Sequence, residues 1–163
     1  MSAPSLRCRQ VLRVIEKSHE VVFNQECLDE WKKHGSNYAQ DWLAGMYARK
    51  KVVPPEDLAH NEALRNRLSQ AAASDASRAA IEKDAHLVEA ALQADRIVIS
   101  RDETVRGLFR QCCPIVSEIR YVLWANPQIE AEQVVLWLKS GAKAESARKL
   151  SFPLQEKTNS SRI

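Results

Sequence analysis

The chain has 163 residues, 45% of them hydrophobic and 28% charged, with a formal net charge of +3 and a pI near 8.7. That length and mix suit one soluble globular domain with its own core, and exclude a disordered or fibrous chain. No window holds the roughly 18 consecutive apolar residues of a membrane span, and Met1 to Arg9 lacks the apolar stretch of a secretory signal, so a cytoplasmic protein without membrane contact is expected.

The first predicted element is a helix, because Cys8, Val11, Leu12 and Ile15 recur at helical spacing. Val21-Val22-Phe23, β-branched and aromatic, suits a short buried strand. Asn24 is placed to cap the next helix, with Glu26 in its first turn and Leu28 and Trp31 on one face. A following helix carries Tyr38, Trp42, Leu43, Met46 and Tyr47 as a wide apolar stripe, and Pro54-Pro55 stops it. Residues from about 57 to 73 read as helix anchored by Leu58, Leu64 and Leu68. Ser74 to Ser77 interrupts it, and helix resumes through Leu92. Ile97-Val98-Ile99 is the clearest strand. Val105, Leu108 and Phe109 mark a short helix, and Ile119 to Trp124 a further strand. Asn126-Pro127 is expected to open a last helix, with proline in its preferred first turn. That helix carries Val134, Trp137 and Leu138 and ends at Gly141. The expected fold is α/β and helix-dominated, with three or so short strands in a parallel sheet flanked by six or seven helices. One domain covers residues 1–141. A polar tail covers 142–163, frayed from Glu156 to Ile163.

Several chemistries are disfavoured by what the chain lacks. Cys8, Cys27, Cys112 and Cys113 form no CxxC pair and no zinc set, and read as buried thiols of a reducing compartment. His19, His34, His60 and His86 show no HExxH or HxH pattern, and His86 lies only two residues after Asp84, a spacing that points the two apart on a helix. Glycines at 35, 45, 107 and 141 build no phosphate loop, and Ser100 and Ser117 lack a nucleophile elbow. Basic residues cluster at Lys32-Lys33, Arg49-Lys50-Lys51, Arg65 with Arg67, and Arg106 with Arg110. They read as solvated helix faces or, as the alternative, a phosphate track.

Three carboxylates stand out. Glu30 lies between Leu28 and Trp31, Asp84 interrupts the apolar face of Ile81 and Val88, and Asp102 sits just past the strand Ile97-Val98-Ile99. Open parallel sheets bind ligands beyond such strand ends. Converging carboxylates repel one another and rise in pKa, a penalty that a divalent cation such as Mg²⁺ removes. Such a cation can activate water against a phosphodiester. The plainer readings are that Asp84 and Asp102 cap helices and that Glu30 is a solvated neighbour of Lys33 or His34.

The stretch from Glu82 to Asp102 resembles the second half of a PIN domain: an aspartate at a helix start, an alanine-rich helix, a hydrophobic strand, then Ser100-Arg101-Asp102 as Ser-x-Asp. The run from Val21 to His34 is similar to the family's second strand and its glutamate-bearing helix. Leu123-Trp124-Ala125-Asn126-Pro127 resembles a late segment of some members, so the likeness spans residues 8 to 127. It implies a parallel sheet with flanking helices and a cluster binding Mg²⁺ or Mn²⁺. It also implies endoribonuclease cleavage of single-stranded or structured RNA. By that resemblance Glu30, Asp84 and Asp102 hold the metal, Asp84 and Asp102 are catalytic, and Asp102 or Glu103 positions the attacking water. RNA and a cognate antitoxin or other protein are the implied partners, and a homo-oligomer is compatible. The family normally opens with a strand at the centre of the sheet that ends in a metal-binding aspartate. Residues 1–9 contain no acidic residue and no strand-like run. Either the coding sequence continues upstream of Met1 or the chain is a degenerate member. Three readings therefore stand: an endoribonuclease whose site is incomplete as written, a catalytically inactive PIN-like module that binds RNA or a protein, or a plain helical interaction protein in which the acidic residues are all caps.

Overall fold

A computed structural model describes residues 2–152. Helix α1 (Ala3–Ser18) begins at Ser2, whose side chain accepts from the Ser5 backbone N–H. Strand β1 (Val21–Val22) follows, then α2 (Gln25–His34), started by Asn24, and α3 (Asn37–Ala48), started by Ser36. A turn through Lys50, at a left-handed φ of 55°, delivers β2 (Val52–Val53) alongside β1. Asn61 and Ser74 cap α4 (Glu62–Gln70) and α5 (Asp75–Leu92) in the same way. Then come β3 (Ile97–Ile99), α6 (Glu103–Cys112), β4 (Leu123–Ala125) and α7 (Val134–Lys139). Each start has a polar side chain that accepts a first-turn N–H, except α7, which opens at Gln133 with a left-handed φ of 46°.

The chain is a helix-dominated α/β protein, and all its strand pairing within sheets is parallel. Val21 faces Val52 in one two-stranded sheet, and Ile97, Val98 and Ile99 face Leu123, Trp124 and Ala125 in the other. The single sheet expected from sequence is thus two sheets. The edge of β1 away from β2 and the edge of β3 away from β4 have no strand partner among the described residues.

The β3–β4 sheet forms a wall between two hydrophobic clusters. Side chains alternate across a strand, so Val98, Val122 and Trp124 enter a cluster with Leu64, Leu68, Ile81, Val88 and Phe109 of α4, α5 and α6. Leu123 and Ala125 enter the other, with Val11, Leu28, Trp42, Met46 and Trp137 of α1, α2, α3 and α7. Ile97 and Ile99 pack against that second cluster as well. Burial on both faces of the sheet explains why its strands are almost wholly apolar.

Four expectations need correction. Val52–Val53 pairs as a strand where the sequence showed only the end of a helix. Ile119 to Trp124 divides into a 3₁₀ helix, Ser117–Tyr121, and the strand β4. Asn126-Pro127 opens no helix: Asn126 Oδ1 accepts from the Gln128 N–H at 3.0 Å in a turn, and α7 starts only at Val134. Packing also continues past residue 141. Leu150 is 1% exposed and its N–H donates to the Val122 carbonyl at 2.9 Å, while Arg148 is buried. The fraying expected for Glu156 to Ile163 lies outside the described residues. No helix among the described residues is long and apolar enough to cross a membrane.

Candidate metal centre

Helices α2 and α5 pack together, and their groove gathers Glu30, Asp84 and His86. One donor atom from each lies within 4.8 Å of the other two. Glu30 is exposed, Asp84 is half-buried and His86 is buried. Asn24 sets the alignment of the two helices. Its Oδ1 accepts from the Cys27 N–H at 2.9 Å and starts α2, while its Nδ2 donates to the His86 carbonyl at 2.8 Å on α5. A second clamp ties α4 to both: Arg65 Nε and Nη2 donate to the two Glu89 oxygens at 2.8 and 2.9 Å, and Nη2 donates to Glu26 at 2.9 Å. Two-point guanidinium recognition of this kind fixes orientation as well as charge.

Burial is the leading influence on both Asp84 and His86. Burial raises the Asp84 pKa; Lys83 and His86 pull it back, while Glu30 and Asp102 add to the rise. Burial lowers the His86 pKa against the opposing pull of Glu26, Asp84 and Glu30, which favours the neutral imidazole that metals bind. The Cys27 thiol sits 3.5 Å from His86 Nδ1. Burial first, then Glu30 and Glu26, push it up to about 12, so it stays protonated.

Of the three residues singled out from sequence, the fold brings Glu30 and Asp84 together. Asp102 lies outside the close cluster, at the end of β3, although its charge acts on Asp84. The capping alternative holds for Asp102, whose Oδ1 accepts from the Val105 N–H at 2.9 Å at the start of α6. It fails for Asp84, which is the tenth residue of α5 and so neither caps that helix nor sits at its start. Glu103 is committed elsewhere, to Arg106 at 3.3 Å and to Asn126 Nδ2 at 3.0 Å. The basic clusters are also less solvated than their sequence suggests: Arg65 and Arg106 are built into ion pairs, Arg106 with Glu132 at 6% exposure.

Sequence reasoning missed His86. Two residues on a helix stand about 200° apart, yet here both side chains border the α2 groove and their tips converge. The available signal was a histidine next to Ala85 on the buried flank of an alanine-rich helix, preceded closely by an acid.

The donor set fits a divalent cation. It offers two carboxylates and an imidazole, and His86 Nε2 is buried with no hydrogen-bond partner. Buried polar atoms are rarely left so. Glu30 is the exposed member of the set. Cavities of about 320 Å³, lined by Glu16, Tyr38, Trp42 and Arg49, and about 410 Å³, lined by Arg110, Arg120 and Phe152, include none of these residues. No family model, curated protein or solved structure matches the chain.

Proposed function

We propose that the chain is a PIN-like, metal-dependent endoribonuclease that cleaves RNA phosphodiester bonds at the α2–α5 groove. One observation carries the reading: Glu30 and Asp84, distant in sequence, converge beside the end of β3, where the Asp102 charge also acts on Asp84. Bound Mg²⁺ or Mn²⁺ would supply a water of lowered pKa and neutralise charge developing on the phosphate. Glu30 and Asp84 would hold the ion, and Asp102, whose Oδ1 accepts the Val105 N–H, would orient the incoming water. Exposed Lys32, Lys33 and Lys83 flank the carboxylates and favour a polyanion. Exposed Glu30 leaves the cluster within reach of an extended strand. The PIN-like assignment draws support from the two parallel pairs, whose strands pack against one shared cluster.

A catalytically inactive module that binds RNA or a protein is the second reading, favoured by the position of Asp102 outside the close cluster. Cleavage of single-stranded RNA in Mn²⁺ by the wild type, Asp84→Asn and Asp102→Asn separates the two. The active reading expects Asp84→Asn to lose about 100-fold or more, the scale of losing a group that supports metal-assisted chemistry. Equal cleavage by all three proteins removes the site. Metal-independent RNA binding that weakens with salt and leaves the strand intact selects the inactive module.

A further inference from the structure

The histidine in this groove sets which cation belongs there. Carboxylates and water suit Mg²⁺, whereas imidazole suits transition metals; Mg²⁺ is also reluctant to give up its waters. We propose that His86 is a nitrogen ligand, making this a mixed nitrogen–oxygen site that takes a first-row transition dication in preference to Mg²⁺.

Two independent observations meet at this residue. The imidazole contributes one of three donor atoms that lie within 4.8 Å of one another with Glu30 and Asp84. Separately, the ring is 1% exposed and its Nε2 has no hydrogen-bond partner. A core histidine with only a structural task satisfies its ring nitrogens, because a buried unmet polar atom costs about 1–3 kcal/mol. The ring is also held in place. Asn24 grips the backbone carbonyl of His86 at 2.8 Å, and Cys27 Sγ stands 3.5 Å from Nδ1. Of the two, the Cys27 contact is the one on the ring, and a partner on one ring nitrogen is what orients an imidazole toward its metal. Cys27 itself stays a thiol and supports the ring, leaving three protein donors and open positions for water.

This rests on the metal-site part of the function proposed above, and spectroscopy separates the two. Mn²⁺ is titrated into the full chain, and electron spin-echo modulation is recorded with unlabelled protein and with ¹⁵N-histidine protein. The expected result is a coordinated-nitrogen modulation that changes isotope pattern on labelling and persists in His34→Gln, whose histidine is exposed at the end of α2. In His86→Asn the modulation disappears, and Mn²⁺ affinity falls by about tenfold or more, the scale of losing one ligand contact. If His86→Asn does not fold, the isotope comparison in wild type and His34→Gln decides alone. Mn²⁺ bound at Glu30 and Asp84 without nitrogen modulation overturns the proposal and leaves the nuclease reading intact. No Mn²⁺ binding overturns both. Nitrogen modulation without RNA cleavage upholds the ligand and sinks the nuclease.

Discussion

Asp84 holds a charge in a place that disfavours it. Burial, with Glu30 and Asp102 adding to it, raises its pKa above the usual 3.8. The folded state therefore binds this proton more tightly than the unfolded state, and Asp84 weakens the metal-free protein wherever pH lies above the folded pKa. The penalty fades as pH falls through that value toward 3.8. Asp84→Asn should raise the melting temperature of the metal-free chain at pH 7. Solvent screening at a half-buried group holds the gain under about 1 kcal/mol, or at most about 2–4 °C. The same variant should lose the rise in melting temperature that Mn²⁺ gives the wild type. Calorimetry with and without Mn²⁺ checks both, and a variant less stable than wild type without metal would show that Asp84 is structural. Residue type and position made Glu30 and Asp84 legible in the sequence, since each is an acid set into an apolar helical face. His86 was not legible, because its role depends on how α5 rotates against α2.

Helix placement depends on a few polar clamps. Arg65 joins Glu89 on α5 and Glu26 on α2, and the Glu89 side chain is only 6% exposed. For both acids burial alone would raise the pKa, but their hydrogen bonds, chiefly from Arg65 and backbone N–H groups, bring it below 4.5. This stabilisation is present above pH 4.5 and disappears as pH falls through the lower folded values. Arg65→Ala should cost about 3 kcal/mol at pH 7, the penalty for a buried carboxylate left without its partner. The gap should narrow near pH 3 in urea unfolding, and an equal gap at both pH values would contradict the clamp. The helix start at Asn24 was readable because one side chain decides it, whereas Ser74 to Ser77, expected as an interruption, is the cap and first turn of α5. The two-residue strand β2 was not, because it is too short to show a period and exists through its pairing with β1. The sequence places Ile119 and Val122 in a strand, but they belong with Val116. All three are fully buried at a spacing of three, which is the period of the 3₁₀ turn the chain adopts there.

The two hydrophobic clusters and the β3–β4 wall make one packed unit that includes the segment after Gly141. Leu150 enters the first cluster, Arg148 packs over the Trp137 ring at 4.4 Å, and Lys149 bridges Leu123. A chain ending at residue 152 keeps Arg148, Lys149 and Leu150 and serves as the reference in urea unfolding. One ending at 141 should lose about 3 kcal/mol or more, since removing a buried leucine alone costs that order. Equal stability of the two truncations would restore the boundary at 141. That boundary looked sound from sequence because one leucine in a polar stretch carries no periodic signal. The α/β class, by contrast, was readable from the alternation of β-branched runs with helical stripes. The division into two sheets was not, because it depends on which edges find partners.

In the proposed site Glu30, Asp84 and His86 share one divalent cation in the α2–α5 groove. Crystals soaked in Mn²⁺ and measured near the manganese absorption edge locate that cation. The expected result is an anomalous peak in contact with both carboxylates and the imidazole, with Asp102 facing it from the end of β3. Fully loaded crystals whose manganese sits elsewhere, with the three side chains turned apart, would contradict it.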